Sequence, residues 1–343
     1  MNLGPQVFDY ILRLTVSVFP VLLFLLALNL IDSYKLVRPR SMIRAMIVGV
    51  LVALVCLLVY VLIMRVIAIR PVTYVRYAAP LVEELLKAIF VAYLIRSRKI
   101  GFLVDAAILG FAVGTGFAIV ENVYYFNVLG DPRVVIWIVR GFGTAIMHGG
   151  ITAIFGILSK SLYDRSEAKG ALAFVPGLVI AVLVHSFYNH FLLNPAVSTV
   201  LIHVTLPLVF LAVFYRSEQA TRQWLGSQFD IDQEMLDIIN SGRVSDSRLG
   251  VFFASIRESF RPEVVVDMLC YLRLHVELAI NAKGLLLMRE AGFDPQPTPD
   301  IREKFAELKH LEKSIGRTGQ LAIHPLIHTG SRELWQLHML GKH

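Results

Sequence analysis

Seven apolar stretches divide the first 215 residues of this chain, and each is close to the ~20 residues that an α-helix needs to cross a bilayer. The chain has 343 residues, of which 56% are hydrophobic and only 17% charged, unlike a typical soluble domain. We therefore predict an all-α fold, a polytopic membrane helical bundle of about seven transmembrane helices. The predicted helices lie near residues 12–31, 42–64, 73–95, 101–126, 134–158, 171–193 and 197–215.

The formal net charge of +7 is concentrated in the hydrophobic part of the chain. Up to Tyr215 there are 17 Lys and Arg against 9 Asp and Glu, whereas beyond it there are 16 against 17. The sequence has no basic stripe of the kind that binds nucleic acid, so we expect no nucleic-acid partner. Loops after the odd-numbered helices hold twelve Lys and Arg and the opposite side holds five, which predicts an amino terminus outside and a carboxyl end in the cytoplasm.

Residues 216–343 differ in character from the transmembrane domain predicted at residues 1–215. Their hydrophobic residues form amphipathic stretches rather than continuous apolar runs. We predict a soluble, mostly helical cytoplasmic tail. The sequence does not indicate its role or its cytoplasmic partner.

The third predicted helix carries ionisable side chains inside its apolar run. Glu83, Glu84 and Lys87 lie within residues 73–95. Such groups are costly to bury in hydrocarbon, so at membrane depth they usually face a protein interior, pair with each other and carry function. Glu83 and Lys87 are four residues apart and share a helix face. These three residues are therefore the first candidates for a functional site.

Three further predicted helices carry acid, amide and imidazole groups at a compatible depth. With a helix rise of ~1.5 Å per residue, these groups and Glu84 fall in one layer between the midplane and the outer face of the bilayer. Four helices that bring acids and histidines to one layer are hard to explain as separate packing contacts. The residues are Glu121 on the fourth helix, His148 on the fifth, and His185 and Asn189 on the sixth.

Two chemical schemes fit this set of side chains. Two histidines and carboxylates can hold Zn²⁺ with one position left for water, and a free carboxylate can then take the proton of that water. Without a metal, a glutamate in an apolar bundle can activate water itself, while His and Asn donate hydrogen bonds to an oxyanion. Both schemes hydrolyse an amide.

The motifs resemble those of the PrsW family of intramembrane proteases. The EExxK motif corresponds to Glu83-Glu84-Leu-Leu-Lys87 and the FxxxE motif to Phe117–Glu121, while His148 and His185–Asn189 resemble the two later histidine motifs. The resemblance spans roughly residues 42–215. It implies a multi-pass endopeptidase of a bacterial cell membrane that cuts membrane-anchored protein substrates, such as anti-sigma factors, within the lipid bilayer.

Roles can be assigned to these residues as hypotheses. We expect Glu83 to be the water-activating base, with Glu84 assisting it or binding the metal. Asn189 would orient His185 or stabilise the oxyanion, and Lys87, Phe117 and Arg140 would support the site. The expected metal ligands are Glu84, Glu121, His148 and His185.

Two other classes of protein could use buried acids and histidines. In a proton- or ion-coupled transporter the same groups would form an ion pathway, but the sequence shows no inverted repeat. A seven-helix sensor would explain the cytoplasmic tail, but it gives no reason for a Glu-Glu pair facing histidines on other helices.

Overall fold

The computed structural model describes residues 3–129, 133–165, 170–293, 295, 299–327 and 340. All regular elements of these residues are helical, and they form two compact units, Met1–Ser217 and Glu218–His343. The helices that begin in the first unit are α1 (Leu3–Ile31), α2 (Pro39–Val66), α3 (Ala79–Arg96), α4 (Leu103–Leu129), α5 (Val134–Arg165), α6 (Val175–Asn189) and α7 (Pro195–Asn240), the last of which continues into the second unit.

Six helices of the described residues are long and apolar enough to cross a membrane, which confirms the polytopic helical class. The exception among the seven is α3, whose 18 residues include the charged side chains Glu83, Glu84, Lys87 and Arg96. A helical turn, Pro71–Thr73, and a π-helical turn, Tyr74–Ala78, precede α3. The predicted total of seven spans stays a prediction.

Helices α4 and α5 form the centre of the bundle. Over their most apolar 18 residues, 83% of α4 and 78% of α5 are buried, against 17% of α2, whose exposed apolar surface is what a helix in contact with lipid needs. Glycines set the distance between the central helices. A Cβ atom on Gly114 would lie 2.3 Å from the backbone oxygen of His148, and one on Gly110 would lie 2.7 Å from that of Thr152. Small residues four apart at Gly110 and Gly114 thus let the two helices approach closely.

The last helix of the bundle, α7, differs from the sequence-based expectation. It does not end near residue 215, where the composition becomes polar, but continues to Asn240. No proline interrupts the helix after Pro207. It ends where Gly242 adopts a left-handed conformation with φ 72°, a common way for a helix to stop. The sequence therefore becomes polar near residue 215 inside one continuous helix, and not at a helix end.

The second unit, Glu218–His343, has a hydrophobic core of its own. Its remaining helices are α8 (Arg248–Ile256), α9 (Pro262–Glu290) and α10 (Ile301–Ile323). A buried ion pair joins Lys283 to Asp232 at 2.6 Å, and the ammonium lies 5.4 Å from the ring centre of Trp224. The core side chains include Leu249, Phe253, Met268, Leu272, Val276, Ile315 and Ile323.

Candidate metal centre

Two side chains of α6 form hydrogen bonds with backbone carbonyls of the π-helical turn just before α3. Pro80 has no N–H, so the turn that holds the carbonyls of Arg76 and Val75, four and five residues before it, has one backbone donor fewer. The Ser186 hydroxyl donates to Arg76 O at 2.7 Å, and the Asn189 amide donates to Val75 O at 3.0 Å. These two bonds fix the position of α6 next to the helical turn that carries the glutamate pair.

Glu84 is at the centre of a fully buried charge cluster. Its Oε1 accepts a hydrogen bond from Lys87 Nζ at 2.5 Å and another from His185 Nδ1 at 2.8 Å. Since a carboxylate only accepts, Nδ1 of His185 carries the proton and Nε2 has a free lone pair. Glu84 therefore neutralises the lysine and fixes the tautomer of His185.

His148 is held in a similar way by a carboxylate on α4. Its Nε2 lies 3.0 Å from Glu121 Oε2, and its Nδ1 lies 3.3 Å from the ammonium of Lys87. The carboxylate requires a proton on Nε2, and the ammonium requires a lone pair on Nδ1. Phe117 closes this side of the site, with its ring centre 5.0 Å from that of His148 and 4.5 Å from Lys87 Nζ.

Glu83, His148 and His185 form a group that could hold a metal ion. One ligand atom from each of them lies within 4.8 Å of the other two, although they come from α3, α5 and α6. Glu83 Oε2 is buried and has no hydrogen-bond partner among the described residues, as expected for an atom that would bind a cation. Two imidazoles and one carboxylate are ligands that Zn²⁺ favours, and they fit a metal once His148 Nδ1 exchanges its contact with the Lys87 ammonium for the ion.

The two remaining carboxylates support the histidines of this group. Glu84 bonds His185 and Glu121 bonds His148, the arrangement that commonly orients metal-binding imidazoles and makes them more basic. Glu121 has a second partner, because Arg140 Nη2 lies 3.3 Å from its Oε2. The guanidinium of Arg140 in turn lies 4.1 Å from the ring centre of Tyr125.

A cavity of about 450 Å³ adjoins the group. Glu83 and Glu121 lie on its wall, so two carboxylates of the site face a space that a substrate can enter. Most of the wall is apolar or aromatic, which is typical of ligand sites. Its other polar lining residues include Arg140, Thr144, Tyr188 and Asn189, and its aromatic ones include Tyr60, Tyr74, Phe117, Tyr124 and Tyr125.

The structure brings together nearly all the residues that the sequence singled out. Glu83, Glu84, Lys87, Glu121, His148 and His185 form one connected cluster, with Phe117 and Arg140 beside it. Of the expected ligands, His148 and His185 belong to the metal group, but its carboxylate is Glu83, while Glu84 and Glu121 bond the imidazoles. Asn189 lines the cavity and bonds Val75 O.

Sequence reasoning missed the hydroxyl groups of the cavity. Tyr188 and Thr144 lie 3.3 Å apart at their oxygens and both line it. Tyr188 lies between His185 and Asn189 in the same motif, so its position in the sequence could have indicated that it lies near the site. Thr144 gave no signal, because a threonine in a transmembrane helix commonly bonds its own backbone.

A Glu/His/His group that adjoins a cavity in a bundle of apolar helices fits the class of metal-dependent membrane hydrolases. The chain belongs to the PrsW family of intramembrane metalloproteases, because that family's model matches residues 38–215, more than half of its length. It is therefore a multi-pass membrane peptidase that acts on membrane-anchored substrates in the bilayer. No curated protein and no solved structure matched the chain.

Proposed function

We propose that Glu83, His148 and His185 bind Zn²⁺ and that the chain uses it to cut one peptide bond of a membrane-anchored protein. The single observation that carries this proposal is the convergence of the three ligand atoms within 4.8 Å, from three helices. The adjoining cavity of about 450 Å³ gives a peptide access to Glu83. A bound zinc would polarise the scissile carbonyl and lower the pKa of water.

The chain's own side chains then divide the remaining tasks. Glu121 is the second carboxylate among the described lining residues, and Arg140 holds it in place. We assign to a Glu121 oxygen the proton of the attacking water, which it passes to the leaving amide nitrogen. This assignment exchanges the roles that the sequence suggested for Glu83 and Glu121. Glu84 stays bonded to Lys87 and His185 and does not take part in the proton transfer.

The walls of the cavity suit a segment from a transmembrane helix. A peptide bond can be attacked only after the helix has opened locally, and the freed backbone groups then need partners, since the bilayer offers none. Thr144, Tyr188 and Arg140 can donate hydrogen bonds to such a backbone. The apolar and aromatic lining receives the side chains of the segment.

The substrates in this proposal are single-pass membrane proteins of the anti-sigma-factor kind, cut in a bacterial cell membrane. The charge of the loops supports an amino terminus outside, with residues 216–343 in the cytoplasm. In that orientation the site lies in the outer half of the bilayer. The tail would then bind a cytoplasmic partner.

Cleavage of a reconstituted substrate tests this function. The purified chain and a single-pass membrane protein are placed in liposomes with Zn²⁺, and products are identified by mass spectrometry. We expect the wild type to cut within or next to the transmembrane segment and His185→Ala to be inactive. His203→Ala is the matched control, because among the described residues His203 bonds Thr199 O and packs on Phe142, away from the metal group. Equal cleavage by wild type and His185→Ala would overturn the proposal.

A further inference from the structure

Asn122, the residue after Glu121, connects the site to the first helix. It is 1% exposed. Its Oδ1 accepts a hydrogen bond from Arg140 Nε at 3.0 Å, and its Nδ2 donates to the backbone oxygen of Ser17 at 2.7 Å. Both polar atoms of the amide are thus used, one toward the arginine that holds Glu121 and one toward α1.

Helix α1 also packs closely on α5, next to Arg140. A Cβ atom on Gly141, the neighbour of Arg140, would lie 2.1 Å from the backbone oxygen of Val16. Tyr10 and Phe126 pack edge to face, with ring centres 4.5 Å apart. Helix α1 therefore packs directly on the segments that carry Glu121 and Arg140.

The position of Arg140 in an irregular helical turn explains why a hydrogen bond to Asn122 matters. It belongs to a π-helical turn, Val139–Ala145, whose hydrogen-bond pattern departs from that of the flanking α-helix. An arginine side chain has several rotatable bonds, and the ion pair with Glu121 and the ring of Tyr125 do not fix the direction of its Nε–H without a hydrogen-bond acceptor. Asn122 supplies that acceptor and is itself fixed by a backbone carbonyl that cannot rotate away.

We propose that Asn122 is a positioning residue of the peptidase, and that α1, through the carbonyl of Ser17, is part of the active-site framework. The connection runs from Ser17 O through Asn122 and Arg140 to Glu121, and from there to His148. The family match begins at residue 38, so α1 lies outside the matched part of the chain. The inference rests on the proposed role of Glu121 as the proton acceptor.

Replacing Asn122 with leucine tests the connection. Leucine has nearly the same size but bonds neither Arg140 nor Ser17 O. We expect Asn122→Leu to lower kcat by about 10- to 100-fold, the usual effect of losing such an outer contact, with KM within about twofold of wild type and zinc content unchanged. Asn127→Leu, on the same helix at an exposed position, is the matched control and should cleave normally.

A mutant cycle separates positioning from simple packing. If Asn122 acts through Arg140, the double variant Asn122→Leu/Arg140→Met should be no slower than Arg140→Met alone. A merely structural asparagine would instead lower the melting temperature and give additive losses of kcat.

Gly141→Ala disturbs the packing of α1 from the side of α5, because its new methyl group would push against Val16 O on α1. It should lower kcat as Asn122→Leu does, and it decides the question if Asn122→Leu fails to fold. Gly226→Ala, where a Cβ atom meets nothing within 4 Å, is the control.

Unchanged kcat in a folded Asn122→Leu, unchanged kcat in Gly141→Ala, additive losses or a loss of zinc would each overturn the inference. The wild-type cleavage assay is run first. If the wild type is active and these variants are equally active, the role proposed for α1 is wrong, whereas the peptidase function still stands.

Discussion

Nδ1 of His185 and Nζ of Lys87 share one acceptor, the Oε1 atom of Glu84, at 2.8 Å and 2.5 Å. All three side chains are at most 2% exposed. One carboxylate thus balances a buried ammonium and orients an imidazole of the metal group. The second glutamate of the EExxK motif is therefore committed to internal contacts, which leaves Glu83 to face the cavity.

Removing the charge of Glu84 should destabilise the bundle. Glu84→Gln leaves the ammonium of Lys87 buried without a counter-charge, which typically costs about 3–5 kcal/mol. The double variant Glu84→Gln/Lys87→Met removes both charges and should regain most of the lost stability without regaining full activity. Thermal unfolding in detergent measures both effects, with the exposed Glu218→Gln as control. A double variant no more stable than Glu84→Gln would contradict this account of the pair.

Helix spacing at Gly114 should control the position of His148. The methyl group of Gly114→Ala would collide with a backbone oxygen, so α4 and α5 must separate and His148 must move from its partners. We expect zinc affinity and cleavage to fall by about 10- to 100-fold. Zinc titration with a competing chelator measures the affinity, and Gly284→Ala, which meets nothing within 4 Å, is the control. Unchanged zinc affinity in Gly114→Ala would show that this contact does not position the ligand.

Asn189 should have a structural role that can be separated from catalysis. Asn189→Ala leaves Val75 O without its side-chain donor, which costs about 1–3 kcal/mol. The second change Pro80→Ala restores a backbone N–H to this turn, so Asn189→Ala/Pro80→Ala should regain stability. If Asn189 also stabilises an oxyanion, as its place on the cavity wall allows, kcat stays low in the double variant. Failure of Pro80→Ala to raise the melting temperature of Asn189→Ala would contradict the proline explanation.

Much of the site could be predicted from the sequence because charged groups are rare at membrane depth. Glu83, Glu84, Lys87, Glu121, His148 and His185 stood out for that reason, and they form one cluster. Glycines four apart, at Gly110 and Gly114, are a further sequence feature that favours the close contact of α4 and α5, which carry two of these residues. The free-energy cost of burying charged groups in hydrocarbon, rather than any single motif, is what made these residues stand out.

The division of roles that we propose for the carboxylates could not be predicted in this way. Adjacent residues on a helix point about 100° apart, so the rotation of α3 decides whether Glu83 or Glu84 faces the histidines. That rotation depends on packing between helices far apart in the chain. The bond from Asn189 to Val75 also required the π-helical turn before Pro80, which has no clear sequence pattern.

The proposed orientation predicts the accessibility of a native cysteine. Cys270 is exposed in the second unit, whereas Cys56 is buried in the bundle. With the tail in the cytoplasm, a membrane-impermeant maleimide should label inside-out vesicles and leave intact cells unlabelled. Cys270→Ser should abolish the labelling. Strong labelling of Cys270 in intact cells would reverse the assigned orientation.

The most direct test of the central claim compares zinc content and cleavage in Glu83→Gln and Glu121→Gln. If Glu83, His148 and His185 hold the metal and Glu121 takes the proton, Glu83→Gln loses both zinc and cleavage. Glu121→Gln then keeps about one zinc per chain but loses cleavage, because the ion is bound by three other side chains. Zinc retained in Glu83→Gln and lost in Glu121→Gln would contradict the account.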